Sequence, residues 1–248
     1  MLAQKQIRTF RRGRVNSRKE VAKQLRIRTN LERLYFKRLN ALFRRFINVR
    51  VGLYKEYGIY DAEVSQRALA EELLPTTLAH YRRVFKTIIN SANEEYDRGT
   101  KEEEIFVMGR SVDFENLVNE YFATREIILV GISASVAKRI ETIIKQGRAN
   151  NMTLSQIAKE IRNKMPQITR SRAALIARTE THNAASYASH AYHLKVRDDL
   201  GLKMLKRWTA TNDLRTRATH SAANGQTVDM DEKFIVGGTE MDYAGDPA

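Results

Sequence analysis

Between residues 208 and 228, WTATNDLRTRATHSAANGQTV places a carboxylate, two guanidinium groups and an imidazole close together: Asp213, Arg215, Arg217 and His220. Imidazole titrates near neutrality and arginine binds phosphate through two parallel hydrogen bonds. A nuclease reading makes His220 the general base and Arg215 or Arg217 the phosphate clamp. That reading lacks a second histidine or a carboxylate pair at a recognisable spacing. The architectural reading is the stronger one. In it Asp213 caps a short helix over LRTRATHSAA, Asn224-Gly225 supplies a positive-φ turn into the next strand, and Trp208 anchors a strand to the core. Arg215 and Arg217 then pair with Glu180 or Asp229. Glu180 lies in Arg178-Thr179-Glu180-Thr181, on a long helix. It either serves nucleotide or transferase chemistry or, as favoured here, fixes the following module by bonding loop amides or one of those arginines. No residue is assigned a catalytic role.

Metal binding fares no better. His182, His190 and His193 share one helical face, but offsets of 8 and 11 residues correspond to about 12 and 16.5 Å of axial rise. Only His190 and His193 are close enough to share an ion, and no carboxylate follows at helical spacing before Asp198. No metal and no cofactor are expected. Cysteine is absent, which excludes disulfides and thiolate sites. No apolar run approaches the roughly 20 residues of a membrane span. The N-terminus MLAQKQIRTF has no apolar signal-peptide core, so secretion by that route is not expected.

The elements that must position these groups are mainly helical. Leu25, Leu31, Leu34, Leu39, Leu42 and Phe46 recur at helical intervals from about residue 21. Gly52 and Gly58 loosen the next section. Helices are expected at 61–73 and 76–98, parted by Pro75, then at 113–122 and 124–146. Thr153 with Gln156 reads as a capping box. Pro166 should end that helix before another runs from about 169 to 197. Beyond Gly201 the pattern alternates: a strand in LKMLKRWTA, a turn at Asn224-Gly225, a short strand in QTVDM and a turn at Gly237-Gly238. The fold class is mainly α: an elongated helical N-terminal body with a small α+β C-terminal module. The expected divisions are a flexible basic arm at 1–20, a helical region at 21–123 and the module at 124–248.

The charge is concentrated at one end. The net charge is +14, and residues 1–50 carry all of it, with 16 Lys/Arg against 2 Asp/Glu. The remaining 198 residues hold 27 of each sign. Such an arm is drawn to polyanions, with DNA first and an acidic protein face second. The residues expected to meet DNA are Arg8, Arg11, Arg12, Arg14, Arg18, Lys19, Lys23, Arg26 and Arg28. Membrane binding is not expected, because the first twenty residues have few apolar groups to insert.

Two segments, SRAALIARTETHNAASYASHAY (171–192) and KRWTATNDLRTRATHSAANGQTVDMDEKFIVGG (206–238), resemble the phage Mu F-type minor head protein, or head morphogenesis, family in their order and spacing. GDPA at 245–248 matches the family's Gly-Asp-Pro. The resemblance covers about residues 125–248. Members often continue to a Cys-x-Cys pair, and with no cysteine here no metal role of that pair carries over. The resemblance implies a non-enzymatic structural protein of a tailed-phage head, inside the capsid near the portal vertex and in the host cytoplasm during assembly. Its partners would be portal protein, major capsid protein or both, with non-specific contact to double-stranded DNA and several copies per virion. Glu180, Trp208, Asp213, Arg215, Arg217, His220 and Gly225 would build its structural or partner-binding module. The alternative is a nuclease or nucleotide-dependent transferase using Glu180, Arg215 and His220.

Overall fold

The computed structural model describes residues 17–99, 113–210 and 216–246. Four long helices hold most of the chain: α1 (Ser17–Tyr57), α2 (Ala62–Gly99), α3 (Phe114–Ala149) and α4 (Leu154–Leu200). A small module follows, with β1 (Leu205–Arg207), α5 (Ala218–Ala222), β2 (Thr227–Asp229), β3 (Phe234–Val236) and β4 (Thr239–Met241). The mainly α class with a small C-terminal α+β part is thus observed.

The helices are fewer and longer than the proline and turn signals predict. Pro75 lies inside α2 instead of separating two helices. Leu69, Leu73, Thr77 and Tyr81 continue one buried face past it, and the Thr76 and Thr77 hydroxyls donate to the carbonyls of Glu72 and Leu73. Packing on both sides outweighs the single backbone bond that proline removes. Pro166 is carried through α4 in the same way. Ile161, Met165, Thr169 and Ala173 are buried around it, and the Thr169 hydroxyl returns to the Met165 carbonyl at 2.9 Å. The expected break near residue 123 is likewise absent, because Val118, Tyr121, Arg125 and Leu129 form an unbroken buried stripe in α3.

At the N-terminus, helix begins at Ser17, so the last residues assigned to a flexible arm are helical; residues 1–16 lie outside the described residues. Leu31, Leu39, Leu42 and Phe46 are buried as expected, whereas Leu25 and Leu34 face outward. Tyr35, one residue on from Leu34, takes the core position instead. Gly52 does not interrupt α1.

The chain divides into two compact units. One comprises Arg28–Arg83 and Val118–Thr181. Segments of all four long helices share its apolar core, which includes Leu39, Phe43, Leu69, Leu73, Leu129, Ile140, Ile157 and Ile161. Short connections join its helices in pairs. Asp61 caps α2 by accepting from the backbone amides of Glu63 and Val64. The predicted capping box starts α4, with the Thr153 amide donating to Gln156 Oε1 at 2.7 Å and the Gln156 amide to Thr153 Oγ1 at 3.3 Å.

The other unit comprises Met1–Ile27, Val84–Leu117 and His182–Ala248. In it β1 pairs antiparallel with β2, with Lys206 opposite Val228, and β3 pairs antiparallel with β4, with Ile235 opposite Glu240. Gly237 and Gly238, at φ +61° and +84°, make the two-residue turn between β3 and β4. Positive φ at both central residues suits a type I′ hairpin, whose twist matches its strands.

Close packing of α3 on α4 supplies a test. A Cβ added at Gly147 would lie 2.5 Å from Cγ1 and 3.0 Å from Cδ1 of the fully buried Ile157. Gly147→Ala should lower stability by about 1–3 kcal/mol in urea unfolding; an unchanged midpoint would show that the helices separate freely there.

Candidate functional site

The most concentrated polar chemistry among the described residues lies inside the unit built from Arg28–Arg83 and Val118–Thr181. Glu180 on α4 is 2% exposed and Arg125 on α3 is 6% exposed. Arg125 holds the carboxylate with a two-pronged grip, Nη2 to Oε1 at 2.7 Å and Nε to Oε2 at 3.1 Å. Tyr81 on α2 donates its hydroxyl to Oε2 at 2.5 Å. The next residue, Thr181, meets His80 Nε2 at 2.8 Å. The His80 ring stacks on Tyr35 of α1 with centroids 3.9 Å apart, and the Tyr35 hydroxyl bonds Thr77 Oγ1 at 2.5 Å. Hydrogen bonds and one ring stack thus connect all four helical segments of this unit.

Electrostatics keep each group in one state. Burial opposes the Arg125 charge, but the hydrogen bond and charge of Glu180 outweigh it and raise the guanidinium pKa. Burial, then the Glu180 charge, pushes the Tyr81 phenol upward, so it remains a donor. Burial, with the charges of Arg83 and Arg38, lowers His80 to about 3, so its imidazole stays neutral. Both Glu180 oxygens are engaged by buried donors. In this arrangement the carboxylate acts as a structural acceptor rather than an exposed base.

The sequence-derived partners of Glu180 are therefore corrected: Arg125 and Tyr81 hold it, not Arg217 or loop amides. Arg215 and Asp213 lie outside the described residues, as do Arg8, Arg11, Arg12 and Arg14. Arg125 was legible only as a charge at a core-facing position, four residues after Tyr121 and four before Leu129.

The remaining module residues belong to the other unit. Trp208 is 4% exposed and packs with Phe234, Val236 and Ala223. The rings of His220 and Phe234 meet it nearly edge-on, at 5.6 and 5.3 Å. His220 is half-buried and Arg217 exposed. Arg217 is the N-cap residue of α5 but provides no side-chain cap; its carbonyl accepts from the amides of His220 and Ser221. The short helix thus begins at Ala218, later than LRTRATHSAA predicts. Gly225, at φ +90°, follows α5 and returns its amide to the Trp208 carbonyl at 2.9 Å. It thus supplies the expected positive-φ turn into β2, and its bond to Trp208 closes a loop around the helix. The Asn224 side chain accepts from the Ala210 amide.

Among the described residues no group of three or more His, Asp or Glu is arranged to hold a metal ion. His190 lies against Tyr243, with burial and then Lys206 lowering it to about 4, while His193 Nδ1 meets the Ser189 carbonyl at 2.6 Å. Of the basic residues, Lys19 and Arg26 are exposed on α1, Lys23 stands 3.8 Å from Glu94, and Arg28 is half-buried. Arg18 lies within α1, its side chain outside what is described.

Residues 136–244 match the family model described as Phage Mu protein F like protein, somewhat under half of the chain. This segment is Mu protein F-like. It contains Glu180, Trp208, Arg217, His220 and Gly225, whereas Arg125 and Tyr81 precede it. The chain is 36% identical over 104 residues to the minor head protein GP7 of Bacillus phage SPP1, covering 40% of this chain and 32% of that protein. It is also 30% identical over 125 residues to the NAD(+)–arginine ADP-ribosyltransferase EFV of Enterococcus faecalis, covering 50% of this chain and 25% of the enzyme. The chain thus spans about a quarter to a third of the curated relatives it matches. No solved structure matches significantly.

Two outcomes test the buried network. Glu180→Ala should cost roughly 3–5 kcal/mol by stranding the Arg125 charge, whereas replacing both by apolar residues (Arg125→Met with Glu180→Leu) should recover a large share. Equal losses in the two would count against an unpaired charge as the cause. Stability should also fall as pH drops below about 6.5. The unfolded His80 takes up a proton there, while the folded one resists it down to about 3. His80→Gln should flatten the fall between pH 7 and 5 in urea titrations, and an unaltered slope would exclude His80 as its source.

Proposed function

We propose that this protein is a minor head protein of a tailed bacteriophage, acting in head assembly without catalytic turnover. The observation carrying the proposal is the Mu protein F-like segment at 136–244, reinforced by similarity to a protein named as a minor head protein. In this reading the protein sits in several copies inside the capsid near the portal vertex, after assembling in the host cytoplasm. Its C-terminal module, with Trp208, Arg217, His220 and Gly225, meets portal protein, major capsid protein or both. The basic N-terminal region, from Arg8 to Arg28, touches packaged duplex DNA through phosphates, which requires no sequence readout. No helix among the described residues is long and apolar enough to cross a membrane.

The intact protein should bind duplexes of unrelated sequence equally, with log affinity falling linearly against log salt at about 0.9 per phosphate contacted. Replacing Arg8, Arg11, Arg12 and Arg14 by Gln should make that line shallower; salt-insensitive binding would refute the DNA contact. Density for the protein away from the portal in virion electron microscopy would refute the location.

The similarity to an ADP-ribosyltransferase favours one second reading, a nucleotide-dependent transferase drawing on Glu180, Arg215 and His220. Against it stands the burial of Glu180 under Arg125 and Tyr81. Incubation with NAD and an arginine substrate should show no turnover. Turnover that vanishes in a folded His220→Ala variant would replace the structural reading by the enzymatic one.

A further inference from the structure

The outward face of α1 carries charge of one sign well beyond the arm. Arg33, Lys37 and Arg44 are all exposed. At about 100° per residue they fall within about 40° of one another. Leu31, Tyr35, Leu39, Leu42 and Phe46, on the opposite side, are buried. None of the three has an acidic residue three or four positions away in either direction. Elsewhere in the same unit Lys145 pairs with Glu141 and Lys164 with Glu160, each one helical turn away. An uncompensated row of this kind costs self-repulsion unless a polyanion covers it.

We propose that Arg33, Lys37 and Arg44 form a second duplex-DNA contact surface, on the helical body and separate from the N-terminal arm. The proposal rests on the DNA contact argued above and assigns it additional residues. From Arg33 to Arg44 the row spans about 16.5 Å along the helix, and a duplex presents one charge per about 1.7 Å of its axis, so each cation meets phosphate without a defined register. Asn30 and Asn48, exposed on the same side, add uncharged donors. The row contains no aromatic or large apolar anchor, which the centre of a protein interface would require. Duplex DNA is therefore the favoured partner over an acidic protein surface.

The test compares salt dependence of duplex binding for the full chain and for Arg33→Gln/Lys37→Gln/Arg44→Gln, using fluorescence anisotropy between about 50 and 200 mM salt. Glutamine keeps helix propensity, so circular dichroism should be unchanged. The triple variant should lose between about two and three from the slope, each single substitution about 0.9, and the loss should add to that of the arm variant. If the parent binds DNA and only the arm variant alters the slope, this surface is excluded while the DNA reading stands. If the parent does not bind DNA, both fall. Loss of binding to polyglutamate with duplex binding intact would overturn the assignment in favour of a protein partner.

Discussion

A buried ion pair can exist only where its geometry is satisfied from several sides at once. Arg125 and Glu180 are such a pair, and their unit of the molecule is arranged around that requirement. The guanidinium fork comes from α3 and the carboxylate from α4, 55 residues apart in sequence. Either alone in that apolar interior would carry a heavy desolvation cost. Tyr81 adds a donor from α2, and the Thr181–His80–Tyr35 chain reaches α1. Apolar side chains tolerate small slips along a helix, whereas a two-pronged hydrogen bond does not. The two-pronged bond therefore fixes how Arg125 of α3 and Glu180 of α4 align with each other.

The C-terminal module is held differently. Its strands are three residues long, and its two sheets have two strands each. Ribbons of that size are not stable in water without packing. Trp208 supplies the packing, with Phe234, Val236 and Ala223 around it. Gly225 and Gln226 fasten the backbone beside Trp208 from the far side of α5, and the Gln226 side chain accepts from the Ile235 amide, joining the β2 region to β3. Of the groups that give this stretch its acid–base appearance, His220 packs against the Trp208 ring and Arg217 caps α5 through its carbonyl.

These two devices bear on function in distinct ways. The Mu protein F-like segment contains Glu180 but not the arginine and tyrosine that hold it. The burial requirement at Glu180 is met by two side chains outside the matched region, Arg125 on the first half of α3 and Tyr81 on α2. The charge lies elsewhere, in the first fifty residues.

Much of this was legible in the chain. Helical periodicity, the Thr153 capping box, the Gly237-Gly238 hairpin and the one-sided charge depend on neighbours a few residues apart. Local spacing determines such features because the bonds they make are local. Helix continuity was not legible, since whether Pro75 or Pro166 ends a helix depends on how much apolar surface the rest of the molecule buries on either side. The partner of Glu180 was not legible either. Arginines nearer in sequence had the right chemistry, and only the packing of α3 against α4 brought Arg125 within reach. The sequence by itself determined which groups had to be paired, capped or solvated, through their charge and spacing. The tertiary structure decided with which distant residue each was paired, because desolvating a charge demands a partner in space and sequence separation has no bearing on that demand.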